Sequence, residues 1–357
     1  MAGQPQEVPL NNLERFGWGP FFQDQLPSLP PLPVGRVLFA CREQYRIIDA
    51  HGEYPGALSG KLRQEALDFP AVGDWVLYRR EGELSIIEAV LRRKSQFSRK
   101  EAGRRYSEQV VAANIDTIFL ISAFNQDFNP RRMERYLVLA WENGAEPVII
   151  LNKADISHDL ADAIKRMEHV APGVPIHALS ALNGSGLESL QPYLTWGKTV
   201  ALLGSSGVGK STLANRLFGK DIQEVHEIRE HDGRGRHTTT SRELFLLPAG
   251  GMLLDTPGMR ELGLWNGEMG LAEAFQDVAE LARACRFRNC SHDGEPGCAV
   301  LCAVEAKRLA PERLQDYRKL QRELSFQERQ VDQNARRRHE EWLKGIQREI
   351  RRIEKER

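Results

Sequence analysis

Nine consecutive residues carry the clearest chemistry: Gly204-Ser205-Ser206-Gly207-Val208-Gly209-Lys210-Ser211-Thr212. The spacing is that of a loop that cradles phosphates, with glycines that let backbone N–H groups turn toward anionic oxygens. Lys210 suits the β- and γ-phosphates of a nucleoside triphosphate, and the Ser211 hydroxyl suits Mg²⁺. Such a loop needs a strand before it and a helix after it. The apolar run 199–203 and the helix-like stretch 212–218 supply both, and the helix N-terminus adds positive potential. A second apolar run, 252–254, ends in Asp255-Thr256-Pro257-Gly258. A carboxylate at a strand end suits the Mg²⁺ shell, and the Gly258 N–H suits a γ-phosphate.

Asn152-Lys153-Ala154-Asp155 closes a further apolar run, 148–151. A carboxylate there accepts from guanine N1–H and the 2-amino group. Adenine lacks that donor pair, so Asp155 selects GTP over ATP. Lys153 has an aliphatic stem that can lie along the base. Ser180-Ala181-Leu182 follows and offers a backbone N–H to guanine O6. These base-reading motifs precede the phosphate loop, the reverse of the ordinary GTPase order. A binding site is spatial, so joined ends and a new cut preserve it. The order therefore reads as a circularly permuted GTPase. One consequence is that the segment after Gly258 leads directly into the region that follows.

Between the phosphate loop and Asp255 lies a polar, glycine-containing stretch, 231–240, suited to a switch loop. Thr239, with Thr240 as the alternate, is expected to reach Mg²⁺ and the γ-phosphate. Met259 stands where many GTPases carry a water-orienting Gln, so His237 becomes the candidate for that task. Further on, Cys285, Cys290, His292 and Cys298 supply three thiolates and one imidazole within 14 residues. Four such ligands fill a tetrahedral Zn²⁺ and leave no open position, so the zinc is expected to be structural. Cys302, four residues after Cys298, is an alternate ligand by position but reads as a small buried residue.

These residues need elements to position them. From residue 110 onward, apolar runs alternate with helix-like stretches, which indicates an α/β domain with a largely parallel sheet, placed at 108–268. Residues 35–98 read as a small all-β barrel of the OB type, with short runs at 35–41, 44–50, 74–79 and 83–90. Residues 1–34 form a Pro-rich lead-in whose apolar piece, 13–22, either docks on a neighbouring surface or stays loose. Residues 269–330 read as a helical zinc-binding domain and 331–357 as a charged helix with an apolar stripe at Trp342, Ile346, Ile350 and Ile353. Residues 92–105 hold seven basic groups against one acid, a candidate RNA contact beside the barrel. Over the whole chain Lys+Arg and Asp+Glu both total 49, which excludes a uniformly basic nucleic-acid binder. No apolar run reaches a membrane-spanning length and no secretory leader is evident. A cytoplasmic protein without a membrane partner is expected.

The combination resembles the permuted GTPase family that contains RsgA, also called YjeQ. The resemblance rests on 110–116, Asn152–Asp155, Gly204–Thr212, Gly235-Arg-His-Thr-Thr-Thr240, Asp255–Gly258 and the cysteine–histidine spacing. It implies an N-terminal OB barrel, a central permuted GTPase and a C-terminal zinc-binding helical domain. It also implies GTP hydrolysis to GDP stimulated by the small ribosomal subunit, a role in late maturation of that subunit, rRNA contacts through the barrel and zinc domains, and a monomer. The family's proposed catalytic histidine falls on His237, and its zinc ligands fall on Cys285, Cys290, His292 and Cys298. A contrasting expectation is an rRNA-binding chaperone switched by GTP with little catalysis of its own.

Overall fold

The computed structural model describes residues 12–41, 43–65, 69–100, 108–124, 128–157, 159–219, 242–255 and 268–325. The chain divides into two compact units, one of residues 1–99 and 109–262, the other of residues 100–108 and 263–357.

In the first unit, the apolar N-terminal piece docks. Leu13, Phe16, Trp18 and Phe22 are buried, the last within the short helix α1 (Pro20–Gln23). Trp18 meets Trp75 edge-on at 4.8 Å, a favourable aromatic geometry. Trp75 opens a strand of a closed barrel. Its strands are β1 (Val34–Cys41), β2 (Gln44–Ile48), β3 (Glu53–Leu58), β4 (Trp75–Glu81) and β5 (Leu84–Val90), ordered β1-β2-β3-β5-β4 with β4 returning to β1. Closure leaves Val37, Tyr45, Ile47, Leu58, Val76 and Ile87 packed inside, as alternating inward positions require. The short helix α2 (Gly60–Glu65) follows β3. Buried Arg36 of β1 ties three regions together by donating to the carbonyls of Phe16, Gly73 and Asn114.

Strands β6 (Gln96–Lys100) and β7 (Glu108–Ala113) form a separate two-stranded sheet. The basic run that enters them is partly internal. Arg93 is paired with buried Asp74 at 2.8 Å, and the Lys94 ammonium lies 5.0 Å from the Phe22 ring. Residues 101–107 lie outside the described residues.

Six further strands carry the nucleotide motifs: β8 (Thr117–Ala123), β9 (Glu146–Asn152), β10 (Ile176–Ala178), β11 (Thr199–Gly204), β12 (Arg242–Leu246) and β13 (Met252–Asp255). Their order is β10-β9-β8-β11-β13-β12, parallel except for β12, which runs antiparallel to β13. Every residue of β8 is buried, the mark of a strand covered on both faces. Helices α3 (Pro130–Glu142), α4 (Leu160–Val170) and α5 (Lys210–Phe218) belong to this part of the unit. The core joins Phe119, Ile121, Val148, Ile150, Leu213 and Leu253. Strand β12 also pairs with β1, through Phe39↔Glu243 and Ala40↔Arg242. Barrel and parallel strands therefore form one continuous sheet of 11 strands.

Over 268–325 the second unit is helical apart from the loops between its helices, one of which carries cysteines: α6 (Glu268–Ala274), α7 (Gln276–Ala282), α8 (Ala299–Glu305) and α9 (311–325). Phe275, Val278, Val300, Ala303 and Leu314 are buried there. Arg313 is anchored on Asp277 and lies 4.1 Å from the centre of the Phe275 ring.

Candidate active site and metal centre

Parallel strands send their C-terminal ends, and the loops after them, to one edge of a sheet, where open α/β folds bind ligands. The phosphate loop leaves β11 at that edge and enters α5 at Lys210. Two glycines are demanded by geometry. Gly209 has φ +95°, and a Cβ there would lie 2.3 Å from Asn152 Nδ2. Gly204 packs so closely that a Cβ would lie 2.5 Å from the Ile121 carbonyl oxygen of β8. Val208 is fully buried and seats the loop in the core, while Ser206 and Gly207 are exposed. Lys210 Nζ donates to the carbonyls of Gly204, at 2.6 Å, and Ser205. Ser211 and Thr212 occupy the exposed first turn of α5.

Asn152 sits at the end of β9 and joins all three motifs. Its Nδ2 donates to the Val208 carbonyl at 2.7 Å, and its Oδ1 accepts from the Ala181 N–H at 2.9 Å. Lys153, in the left-handed region with φ +63°, turns its ammonium to the Gly207 carbonyl at 2.7 Å. Ala154 donates to the Leu179 carbonyl at 3.0 Å, and Asp155 is exposed in the short turn that follows. Ser180 is buried, and its N–H donates to the Ser185 carbonyl. The loop of 204–212, the 152–155 segment and the 180–182 turn are thus one hydrogen-bonded assembly. Asp255 closes β13, on the opposite side of β11 from β8.

His237, Thr239, Thr240, Gly258 and Met259 lie outside the described residues, as does the Trp342–Ile353 stripe. Two arginines at the site are not singled out by sequence. Arg216 of α5 donates to the carbonyls of Ala181, at 3.2 Å, and Leu182, bracing that turn. Arg132 of α3 donates to Ser205 Oγ at 3.0 Å. Their only sequence signal is position: one follows the phosphate loop on its helix, and the other begins the helix after β8.

In the second unit, the ligand atoms of Cys285, Cys290, His292 and Cys298 all lie within 4.8 Å of one another. Cys285 Sγ is 3.6 Å from His292 Nδ1 and 3.9 Å from Cys298 Sγ, and His292 Nδ1 is 3.4 Å from Cys298 Sγ. A tetrahedral ion with metal–sulfur bonds of about 2.3 Å requires edges of about 3.5–3.8 Å, so the donor set fits. His292 is buried, and burial pushes its imidazole below the ordinary value, favouring the neutral ring that a metal takes. Glu295 accepts from the Ser291 hydroxyl and from the N–H groups of Ser291 and Asp293. These bonds, the Ser291 hydroxyl first, hold its carboxyl down at about 2 and fix the loop between Cys290 and Cys298. Cys302 is exposed on α8, contrary to the buried role expected of it. Its neighbour Ala303 takes the inward position on that helix instead. Beside Cys290 and His292 opens a cleft of about 540 Å³ lined in part by Phe287, Arg288, Asn289, Tyr317 and Arg322.

The RsgA GTPase family model matches residues 90–265. The chain is 46% identical over 329 residues to small ribosomal subunit biogenesis GTPase RsgA 2 of Lactiplantibacillus plantarum, covering 90% of this chain and 93% of that protein. It is 42% identical over 353 residues to small ribosomal subunit biogenesis GTPase RsgA of Opitutus terrae, covering 94% and 96%. Among solved structures, YjeQ from Thermotoga maritima aligns with a TM-score of 0.64 at 30% identity, covering 82% of this chain and 98% of that one. YloQ, a circularly permuted GTPase, aligns at 0.61 and 25% identity, covering 83% and 96%. With base-reading motifs ahead of the phosphate loop on a parallel sheet, a closed barrel before them and a four-ligand cluster after them, the chain belongs to the RsgA GTPase family of circularly permuted GTP hydrolases.

Proposed function

We propose that this chain hydrolyses GTP during late maturation of the small ribosomal subunit, and that the subunit accelerates the reaction. The observation that carries the reading is the Asn152 tie, which locks the 152–155 segment, the 180–182 turn and the phosphate loop into one site. The names of the relatives support the assignment to the small subunit.

In this reading Asp155 accepts from guanine N1–H and the 2-amino group, with Lys153 and Ala154 framing the base and Ser180–Ala181 forming the turn beside it. Backbone N–H groups of 205–209 surround the phosphates, and Lys210 neutralises charge on the β- and γ-oxygens. Mg²⁺, when bound, neutralises phosphate charge further. Ser211, Thr239 and Asp255 are the residues that would hold it, while Gly258 donates to the γ-phosphate. His237 orients the attacking water. Cys285, Cys290, His292 and Cys298 hold a structural Zn²⁺.

The barrel of 35–98 and the helical domain of 269–330 dock on rRNA. The cleft beside the metal ligands supports this, since Phe287 is 42% exposed between Arg286 and Arg288. The protein acts as a cytoplasmic monomer without a membrane partner, and among the described residues no helix is long and apolar enough to cross one.

GTP turnover with small subunits, large subunits or neither tests the proposal. Acceleration confined to small subunits is the expected result. Equal rates in all three reactions, with GTP bound, would replace it with a nucleotide-switched RNA binder.

A further inference from the structure

The first turn of α3 is built against its own dipole. It carries Arg131 and Arg132 and no acid, whereas the N-terminus of a helix favours negative charge. Asn129 caps the helix by accepting from the Arg132 N–H, and Pro130 takes the first helical position. These contacts fix the turn from which the Arg132 side chain extends. Arg131 and Arg135 are exposed, while Arg132 is half-buried and reaches Ser205 Oγ at 3.0 Å.

Ser205 is also where the phosphate-loop lysine points. Lys210 Nζ donates to the Ser205 carbonyl and to that of Gly204. Guanidinium and ammonium therefore converge on one residue. A phosphate bound beside that residue would be attracted by both cations. The lysine of such a loop serves the β- and γ-phosphates, so the Ser205 end of the loop is the γ-phosphate end. Sheet order explains the approach. β8 and β13 flank β11 on either side, so α3 begins beside the loop opposite Asp255.

We infer that Arg132 is a catalytic residue for GTP hydrolysis: an arginine supplied by the chain itself that binds the γ-phosphate oxygens as charge shifts in the transition state. The inference rests on 204–212 being the triphosphate loop. In the reaction, the water oxygen bonds to the γ-phosphorus as the bond to the β–γ bridging oxygen breaks. The electron pair leaves with GDP, the water supplies the new oxygen of inorganic phosphate, and the surplus proton passes to solvent. A guanidinium in the plane of the transferring group stabilises that passage without itself gaining or losing a proton.

The test uses the full chain, a fluorescent GDP analogue and single-turnover GTP hydrolysis at saturation. Arg132→Ala is expected to lower the single-turnover rate by about 100-fold and to abolish the tightening of GDP by aluminium fluoride. GDP affinity should stay within about twofold, because GDP has no γ-phosphate. Arg132→Lys should recover part of the rate, and Arg135→Ala should match the wild type. A wild-type rate in Arg132→Ala would overturn the inference. So would parallel loss of GDP and GTP affinity with the saturated rate intact, which would make Arg132 a tie that merely holds the loop. If instead Lys210→Ala binds and hydrolyses GTP normally, the loop reading has failed and the inference falls with it.

Discussion

Asn152 shows how much one side chain settles at this site. Its amide bridges the Val208 carbonyl and the Ala181 N–H, so it has no freedom to move aside. Gly209 lies against it with φ +95°. Gly209→Ala would place a Cβ 2.3 Å from Asn152 Nδ2 and strain the backbone as well. Left-handed strain alone is worth about 1–3 kcal/mol, and a loop that shifts to relieve it must regain that conformation to bind, so GDP affinity should fall by about tenfold or more. Titration with a fluorescent GDP analogue checks this, and a thermal melt shows whether the fold survives. That the three motifs belong together is legible in the sequence, because each closes an apolar run where a strand end is expected. Which residues touch is not. Arg132 and Arg216 reach their partners across 73 and 35 positions, and no local pattern announces such contacts.

At the scale of elements, β12 is visible in the sequence but its partner is not. The apolar residues 244–247 are one of the runs that mark the α/β domain from residue 110 onward, yet the sequence presents barrel and GTPase as separate modules. Among the described residues the pairing of β12 with β1 involves Phe39↔Glu243 and Ala40↔Arg242, too little to leave any periodicity. Buried Glu243 is also ion-paired with Arg46 of the neighbouring barrel strand. Arg46→Ala should therefore destabilise the first unit by about 2–4 kcal/mol, discounted from a fully buried pair because Arg46 is partly exposed. Urea unfolding measures the loss. In a double-mutant cycle with Glu243→Gln, the combined loss should be smaller than the sum. The N-terminal piece and the basic run follow the same logic. Whether Trp18 docks, or Arg93 and Lys94 turn inward, depends on Trp75, Asp74 and Phe22 being nearby, and only the folded chain brings them there.

For the whole molecule, the order of motifs makes the permutation legible, because three loops can meet at one sheet edge whatever their order along the chain. In the second unit, the spacing of Cys285, Cys290, His292 and Cys298 points to a shared metal site, and the folded chain brings their ligand atoms together. Among that unit's described residues the buried apolar side chains are fewer than in the first unit, so the four-ligand cluster should carry much of its stability. A strong chelator should speed hydrogen exchange throughout 268–325 while fluorescent GDP stays bound to the first unit. Uniform loss of both would show the two units to be energetically inseparable. The continuous 11-stranded sheet has a further consequence, one that concerns synthesis. β1 emerges from the ribosome about 200 residues before the β12 strand that covers part of its edge. At about 5–20 residues per second, that edge waits roughly 10–40 s for its partner. During those seconds the nascent barrel offers open backbone to any passing strand, so production of this chain should be sensitive to elongation speed between residues 41 and 242.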